Sequence, residues 1–300
     1  MKTILYGVIF TFLLFACRRS NESTTAADST GYDSSATNAG AQQLTMKQYD
    51  ARLTALPIKL SSSGEGLEIF KVNFNKQNPV SCDSAFDRYL IFQSELINTL
   101  QQQLEARADY EVLASWSEEV KFSEATQAYI DSLAQNALRM TQEEGVTFLD
   151  AEPEMIKREF HPFMSPAGKD YITQWQIETE HPFAIDAGFT ISVEQLIDRL
   201  VYWDSFLDKY SGTIFQKEVE AKKNAYLYFL LIGMDNTPAF DYGETERLSD
   251  EFRNAYVNFV GKYPPSKSRS VIEEYLKLLT STDFKKTEAI DKFVDRYSNF

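Results

Sequence analysis

The chain has 300 residues, with 44 Asp and Glu against 30 Lys and Arg, so its formal net charge at pH 7 is −14. Nucleic-acid binding requires a basic surface that neutralises phosphates, and an acidic surface also repels anionic lipid headgroups. We therefore expect no nucleic-acid partner, and we expect any membrane attachment to come from a lipid. The 22 Phe and 16 Tyr indicate a substantial core.

The N-terminus predicts a lipoprotein signal peptide over residues 1–17. An apolar run from Ile4 to Ala16 is shorter than the roughly 20 residues that a membrane-spanning helix needs, and it stops at Cys17. The end of the run, LFAC, resembles the lipobox of bacterial lipoproteins, in which the cysteine receives acyl chains such as palmitate and becomes the new N-terminus. The resemblance implies lipidation of Cys17. An ordinary cleaved signal or an uncleaved anchor is the alternative.

The residues after the cysteine bear on where the protein resides. In lipoproteins of this kind an aspartate directly after the cysteine often retains the protein in the inner membrane, whereas this chain has Arg18. The resemblance therefore implies the outer membrane, and it leaves open whether the protein faces the periplasm or the exterior. Residues 18–45 are rich in Ser, Thr, Ala, Asp and Asn, which predicts a disordered tether to a folded domain at 46–300.

The first part of the folded domain has a mixed pattern. LPIKL and LEIFKVNF show strand-like alternation on either side of the turn-rich stretch SSSGEG, which predicts a short β-hairpin or an irregular arm near 55–75. From Asp83 the apolar residues recur at steps of three and four, which predicts a helix with Asp83 as its N-cap. A second helix is predicted from Ser123 through Met140 to Gly145, followed by a strand or an extended link at 146–149.

Two similar stretches, EFHPFMSPAG at 159–168 and TEHPFAIDAG at 179–188, contain the two histidines of the chain, His161 and His181. Proline disfavours helical geometry in the residue before it, so we expect each histidine to be extended, at the boundary of a helix over about 168–180.

These stretches have a structural and a chemical interpretation. In the first, they are two similar helix-entry turns, with Phe163 and Phe183 packed inward. In the second, His161 and His181 bind a divalent metal together with an acid such as Glu159 or Asp186, which requires the fold to bring both turns together. Because no HExxH or HxH spacing fixes the histidines on one helical face, we favour the structural interpretation.

The C-terminal part predicts paired helices with an internal repeat. A helix begins at the cap Ser192, the next stops at Gly233, a third is broken by Pro264, and further helices follow over VIEEYLKLL and 287–298. The stretch WDSFLDKYSGT at 203–213 aligns with YVNFVGKYPPS at 256–266, so that aromatic, Phe, Lys and Tyr residues match. Such a repeat buries its apolar face by stacking on its neighbour.

This pattern resembles the tetratricopeptide-like helical hairpins of many bacterial envelope lipoproteins. The resemblance covers 192–281, and it departs from the strict consensus because the repeat is longer than about 34 residues. The whole chain also resembles lipoproteins common in Bacteroidota, with lipobox, Ser/Thr-rich tether and acidic, aromatic-rich helical domain. Both resemblances imply a mainly α fold of stacked helical hairpins, and neither implies an activity.

The stretch MDNTPAFDYGE at 234–244 connects two predicted helices. Asp235, Asn236 and Asp241 are candidate binding residues there, because connecting loops often carry function. Their spacing does not match the calcium-binding loop, and a helix end followed by a turn needs the same residue types.

The sequence contains no GxSxG, Walker A or GxGxxG motif, so it indicates no catalytic residue, and no cofactor is expected beyond the metal hypothesis. We expect a lipid-anchored, non-enzymatic protein that binds another envelope protein or a peptide. One alternative is a metal-dependent hydrolase that uses His161 and His181. Another is a carbohydrate-binding lipoprotein with a platform of exposed aromatic residues, for which the candidates are Trp116, Trp175 and Trp203.

Overall fold

The computed structural model describes residues 44–115, 120–143, 145–243 and 246–298. These residues are mainly α-helical, with small antiparallel strand pairs between the helices, which confirms the mainly α part of the predicted fold class. The signal peptide with Cys17, nearly all of the tether, Trp116 and Glu244 lie outside the described residues. None of the helices within the described ranges combines the length and the apolar composition needed to cross a membrane.

The domain begins with three helices: α1 (Met46–Thr54), α2 (Ser61–Phe74) and α3 (Pro79–Glu105). The predicted β-hairpin or irregular arm near 55–75 is wrong, because most of these residues belong to α2. The apolar residues of LEIFKVNF fit a helical period as well as an alternating one, and Leu67, Phe70 and Phe74 are buried. Packing against α3 favours the helix: Gly66 lies so close that a Cβ there would be 3.1 Å from the Tyr89 ring.

The role predicted for Asp83 is also wrong. The helix α3 begins at Pro79 and is capped by Asn78, so Asp83 lies inside it, 3 % exposed. Its carboxylate accepts hydrogen bonds from the backbone N–H of Ser165 at 3.0 Å and from the Ser165 hydroxyl at 2.5 Å. Asp83 therefore supports the cap of a different helix, which begins after Ser165.

The next elements are α4 (Tyr110–Ala114), α5 (Glu124–Gln135), β1 (Leu138–Glu143) and β2 (Val146–Ala151). Ser123 caps α5 as predicted, but the helix ends well before Gly145 because Ala137 has a positive φ of 56°. Met140 instead lies on β1, which pairs antiparallel with β2, so the strand alternative for 146–149 is confirmed. This hairpin covers a small leucine-rich core against the C-terminal half of α3.

The middle of the domain contains α6 (Pro153–Phe160), a 3₁₀ turn (161–163), α7 (Pro166–Glu180) and the short strands β3 (Ala184–Ile185) and β4 (Gly188–Phe189). Ser165 caps α7 by accepting from the N–H of Gly168. Both histidine stretches thus lie at boundaries of α7, one before its start and one after its end.

The C-terminal part consists of α8 (Val193–Lys209), α9 (Gln216–Ile232), β5 (Gly233–Met234), β6 (Thr237–Pro238), α10 (Asp250–Lys262), α11 (Lys267–Ser281) and α12 (Glu288–Asp295). Ser192 and Gln195 form a capping box at the start of α8. The helix α9 ends at Gly233, where φ is +74°. Both boundaries agree with the sequence prediction.

The two halves of the internal repeat have matching environments. Trp203 on α8 and Tyr256 on α10 are both fully buried. The hydroxyl of Tyr210, after α8, donates to Asp170 on α7 at 2.7 Å, and the equivalent Tyr263, after α10, donates to Asp198 on α8. The helix α8 packs on α9, and α10 packs on α11 and on α8. Tetratricopeptide-like stacking of these hairpins stays a prediction.

Candidate functional site

The two histidines have different backbone conformations although both precede proline. His161 is helical, with φ −50° and ψ −41°, and its N–H donates to the carbonyl of Lys157, so the predicted extended geometry is wrong there. The α6 helix continues directly into the 3₁₀ turn because Phe160 is buried and Phe163 packs near Phe70. His181 has φ −127° and ψ 77°, outside the helical region.

The structure does not bring the four metal-ligand candidates together. Glu159 and His161 precede α7, whereas His181 and Asp186 follow it, and a helix of 15 residues is about 22 Å long. Glu159 is paired with Lys71 at 3.2 Å. Within the described ranges, no group of three or more His, Cys, Asp or Glu residues is arranged to hold a metal ion. This geometry argues against a shared metal site of the two histidines.

The histidine turns also differ in their surroundings. His161 is partly buried, and burial together with the nearby Lys169 and Lys157 lowers its pKa. His181 is exposed, and its carbonyl oxygen accepts a hydrogen bond from Arg199 at 2.5 Å. Phe183 packs inward against Tyr226, with ring centroids 5.1 Å apart, as the structural interpretation predicts.

The second histidine turn meets the 234–244 stretch. Two short hairpins, β3–β4 and β5–β6, lie side by side: the N–H of Asn236 donates to the carbonyl of Ala187 at 2.9 Å, and its side-chain amide donates to the carbonyl of Asp186. Thr237 accepts from the N–H of Phe189 at 2.9 Å. The candidates Asp186 and Asn236 are thus neighbours, and the Asn236 amide is used to join the two hairpins.

A cavity of about 330 Å³ lies beside the β5–β6 hairpin, between the end of α9, residues 240–242 together with Glu246, and α12. We call it the acidic pocket. Its apolar wall includes Ile290 and Val294, which are buried, and Phe240, which is partly buried. Its exposed acidic side chains come from two sides, as follows: Asp235, Asp241 and Glu246 from the loop side, and Asp291 and Asp295 from α12.

The charges around the acidic pocket are unbalanced. Among the described residues, its lining contains five carboxylates and one ammonium group, that of Lys286, which lies 4.0 Å from Asp291. In the part of the chain that the structure describes, the other four carboxylates form no ion pair: those of Asp235, Asp241, Glu246 and Asp295. The pocket therefore has a strongly negative local field.

Hydrogen bonds hold the loop wall of the pocket in place. The Tyr242 hydroxyl donates to the carbonyl of Asp235 at 3.1 Å, and the N–H of Asp241 donates to the carbonyl of Arg247 at 2.8 Å. The N–H of Lys286 donates to the carbonyl of Glu246 at 2.9 Å, which ties the loop to the segment before α12. These bonds keep the two acidic sides facing one cavity.

A second group of charges lies in the interior, and we call it the Glu178 cluster. The carboxylate of Glu178 accepts from Trp203 Nε1 at 2.7 Å, from Gln174 at 3.0 Å and from Lys222 at 3.3 Å. Burial alone lowers the pKa of Lys222, but Glu178 and Glu218 raise it above its ordinary value, so Lys222 is an ammonium. Both oxygens of Glu178 have internal partners, so this cluster joins α7, α8 and α9.

Sequence reasoning found part of this arrangement. It proposed the loop residues Asp235 and Asp241, but it missed the opposite wall with Asp291 and Asp295 and the entire Glu178 cluster. No local signal marks Asp291 and Asp295, since acids on an exposed helix face are common. Trp203 and Trp175 are buried, at 0 % and 8 % exposed, so neither contributes to a carbohydrate platform.

No protein-family model matches this chain, and no match was found among curated proteins or among solved structures. The geometry of the described residues is therefore the basis for a function.

Proposed function

We propose that this protein is a lipid-anchored binding protein of the cell envelope, and that the acidic pocket is its contact site for another envelope protein or a peptide. One observation carries the proposal: a cavity of about 330 Å³ combines an apolar wall with five exposed carboxylates, four of which form no ion pair within the described residues. Ligand sites typically pair apolar walls with a few polar groups, on a scale of about 300–1,000 Å³.

The arrangement supports binding more than catalysis. The buried carboxylates of Glu178 and Asp83 are hydrogen-bonded to other parts of the fold. The two histidines are separated by the length of α7. Among the described residues, no serine, cysteine or histidine lines the acidic pocket, so they supply no Ser–His or Cys–His pair there. A metal-dependent hydrolase is accordingly the weaker alternative.

The wider architecture is consistent with a partner-binding role. If the hairpins over 192–281 stack in the tetratricopeptide-like manner, the repeat provides a rigid frame for a contact surface, as helical repeats do in general. This support is similarity of fold alone, which does not establish function. The proposal therefore depends on the acidic pocket and not on the repeat.

The proposed anchor gives the domain a defined reach. If Cys17 is lipidated and residues 18–45 form the disordered tether that their composition predicts, a chain of that length has a root-mean-square span of about 30 Å. A tether of this length allows the acidic pocket to meet a partner on the same membrane without contact between the acidic domain and the headgroups.

Affinity capture of the full-length lipidated protein from cross-linked membranes tests the proposal. The test variant carries Asp235→Asn, Asp241→Asn and Asp295→Asn. The control carries Glu95→Gln, Glu111→Gln and Glu124→Gln, the same charge change at exposed sites elsewhere. We expect a stoichiometric partner that is captured by the wild type and the control and is lost from the test variant. Equal capture by all three would reject the pocket as the contact site.

A further inference from the structure

The first three helices bring several of their ends together. Tyr49 packs on Phe74 with ring centroids 4.9 Å apart, and the side-chain amide of Gln77 donates to the carbonyl of Leu44 at 3.1 Å. Residues further along α1 thus meet residues earlier in α2, so the two helices are antiparallel, and the turn at 75–78 leads into α3. The start of α1, the end of α2 and the start of α3 therefore lie at one end of this three-helix unit.

A later segment of the chain packs at the same end. Asp83, in the second turn of α3, accepts a hydrogen bond from the N–H of Ser165, which caps α7, at 3.0 Å. The Phe163 ring lies 6.0 Å from the Phe70 ring between centroids. The turn between α6 and α7 is therefore a neighbour of the end of α2 and of the start of α3.

The segments that meet here share a composition that is unusual for this chain. None of them contains Asp or Glu, although the chain has 44 acids and a formal net charge of −14. We call them together the acid-free end, which comprises residues 44–48, 71–82 and 161–169. Lys47, Lys76 and Lys169 belong to it, and none of these three lysines forms an ion pair with a residue that the structure describes.

The acids that border the acid-free end do not cancel its charge, because they are buried or already paired. Asp83 is 3 % exposed. The bordering ion pairs are Asp50 with Arg88, Glu68 and Glu159 with Lys71, and Asp170 with Lys209. The pKa of His161, in the third segment, is lowered first by burial and then by the positive charges of Lys169 and Lys157. The local charge at this end is therefore positive.

The acid-free end also exposes two apolar side chains. Val72 near the end of α2 is 66 % exposed, and Val80 at the start of α3 is 62 % exposed. Among the large apolar side chains of the described residues, only that of Tyr242 has a greater exposed fraction. The two valines lie on either side of the turn that contains Lys76. Exposed apolar groups next to unpaired lysines indicate a surface for an anionic, partly apolar partner.

We propose that the acid-free end contacts the surface of the membrane that holds the lipid anchor, with its lysines against anionic phospholipid headgroups and its two valines at the boundary with the acyl chains. This inference rests on the proposed lipidation of Cys17 and concerns a different surface from the acidic pocket. The N-terminal segment enters the domain at Leu44, within the acid-free end itself. Along the chain, this end is therefore the part of the folded domain nearest to the anchor.

The physical chemistry of the interface favours this orientation. Each lysine near an anionic membrane surface shifts the contact equilibrium by about fivefold. Exposed apolar side chains add to this by partitioning into the boundary between headgroups and acyl chains. The same headgroups repel the acidic remainder of the protein surface, so the contact is limited to the acid-free end.

Lipid quenching of a fluorophore on the full-length lipidated protein tests the inference. Asn75→Cys places a labelled cysteine in the turn of the acid-free end, and Val257→Cys on α10 is the matched control at an exposed site elsewhere. Cys82 stays unlabelled, because it is fully buried and burial raises the pKa of its thiol to about 11. The vesicles contain phosphatidylethanolamine, the anionic phosphatidylglycerol and a spin-labelled lipid as the quencher. We expect the label at position 75 to be quenched at least about fivefold more strongly than the label at position 257.

The lysines are tested by substitution. Lys47→Gln with Lys76→Gln and Lys169→Gln should lower the quenching at position 75 at least about fivefold, as should vesicles without phosphatidylglycerol. The control variant has the same charge change at exposed lysines elsewhere and should leave the quenching unchanged; it carries Lys217→Gln, Lys262→Gln and Lys277→Gln.

The valines are tested in the same assay. Val72→Ser with Val80→Ser should lower the quenching at position 75 about twofold to fivefold. Ile58→Ser, at a side chain that is 58 % exposed outside the acid-free end, should leave it unchanged. Thermal unfolding by circular dichroism checks that each variant is folded.

Several outcomes would overturn the inference. Equal quenching of the two labels in vesicles that carry the protein would reject the membrane contact while the anchor and the acidic pocket stand. Equal loss in the lysine control would show a general dependence on charge. Protection of the label at position 75 in native membranes but not in lipid vesicles would assign this end to a protein partner. Absence of the protein from floated vesicles would reject the anchor and, with it, the membrane contact.

Discussion

The Glu178 cluster and the acidic pocket use the same chemical group in opposite ways. In the interior, the carboxylate of Glu178 is 8 % exposed and accepts from Trp203, Gln174 and Lys222. At the pocket, Asp241 and Asp295 are exposed, and neither forms an ion pair within the described residues. A buried charge must be paired inside the fold, because desolvation without a partner is costly, whereas an exposed charge is solvated and remains available for a ligand.

The comparison predicts where a lost carboxylate destabilises the fold and where it changes binding only. Interior carboxylates join neighbouring helices, so their removal is expected to lower the free energy of unfolding. Pocket carboxylates make few contacts within the fold, so their removal is expected to weaken ligand binding and to change stability little. We expect the largest losses of stability at Glu178 and beside Asp83, and the smallest changes at Asp241 and Asp295.

Glu178→Ala is expected to lower the free energy of unfolding by about 3–5 kcal/mol, because it leaves the buried ammonium of Lys222 without its closest partner. Urea unfolding followed by circular dichroism measures the change. Glu180→Ala, two residues away and less buried, is the matched control with a loss below about 1 kcal/mol. The double variant Glu178→Gln with Lys222→Met, which keeps an acceptor for Trp203 Nε1 and removes the buried ammonium, should recover part of the lost stability. A loss under about 1 kcal/mol for Glu178→Ala would show that the Glu178 cluster contributes little to the stability of the fold.

Gly168→Ala is expected to lower the free energy of unfolding by about 1–3 kcal/mol. A Cβ at this position would lie 2.1 Å from Asp83 Oδ1, so the buried bonds between Asp83 and Ser165 must shift. The control is Gly261→Ala on α10, where a Cβ meets nothing within 4 Å and the helix gains up to about 1 kcal/mol. Equal changes in the two variants, measured by urea unfolding, would contradict the tight contact.

His161 makes a pH-dependent contribution to stability. Its pKa is lowered in the folded protein by burial and by Lys169 and Lys157, so the unfolded chain binds a proton at a higher pH than the folded chain does. Stability therefore falls as pH decreases through the unfolded value, about 6.5, until the folded pKa has been passed.

Urea unfolding at pH 7.5, 6.5 and 5.5 measures this contribution. We expect His161→Gln to lose less stability than the wild type does over this range. His181→Gln, at the exposed turn of the same sequence type, is the comparison variant that removes the other histidine. A wild-type slope in His161→Gln would show that the titration of His161 does not contribute.

Asp241→Asn is expected to change the free energy of unfolding by less than about 0.5 kcal/mol. Asp295→Asn should raise it by a few tenths of a kcal/mol, because Asp295 lies in the last turn of α12, where the helix dipole disfavours an anion. Thermal unfolding of both variants measures these effects. A loss above about 1 kcal/mol in either variant would show that this acid stabilises the fold. That result would contradict the contrast between interior and pocket carboxylates.

The site was only partly predictable from sequence. Asp235 and Asp241 were recognised because they lie in a connecting stretch next to a helix end, which is a local property. Their counterparts on α12 come 50 to 60 residues later and carry no local signal. Asp83 was misassigned because an aspartate near the start of an apolar period fits a cap, whereas its actual partner, Ser165, lies 82 residues away.

The sequence by itself determined the mainly helical class and several helix boundaries, such as the starts after Ser123 and Ser192 and the end at Gly233. Caps and breakers act through hydrogen bonds and backbone angles within a few residues, so a local pattern is sufficient. Only the tertiary structure decided that 61–74 is a helix, that the two histidine turns are separated by α7, and that the acids of the loop and of α12 face one cavity. These outcomes depend on packing between segments that are far apart in sequence. Local residue patterns do not indicate which distant segments pack together.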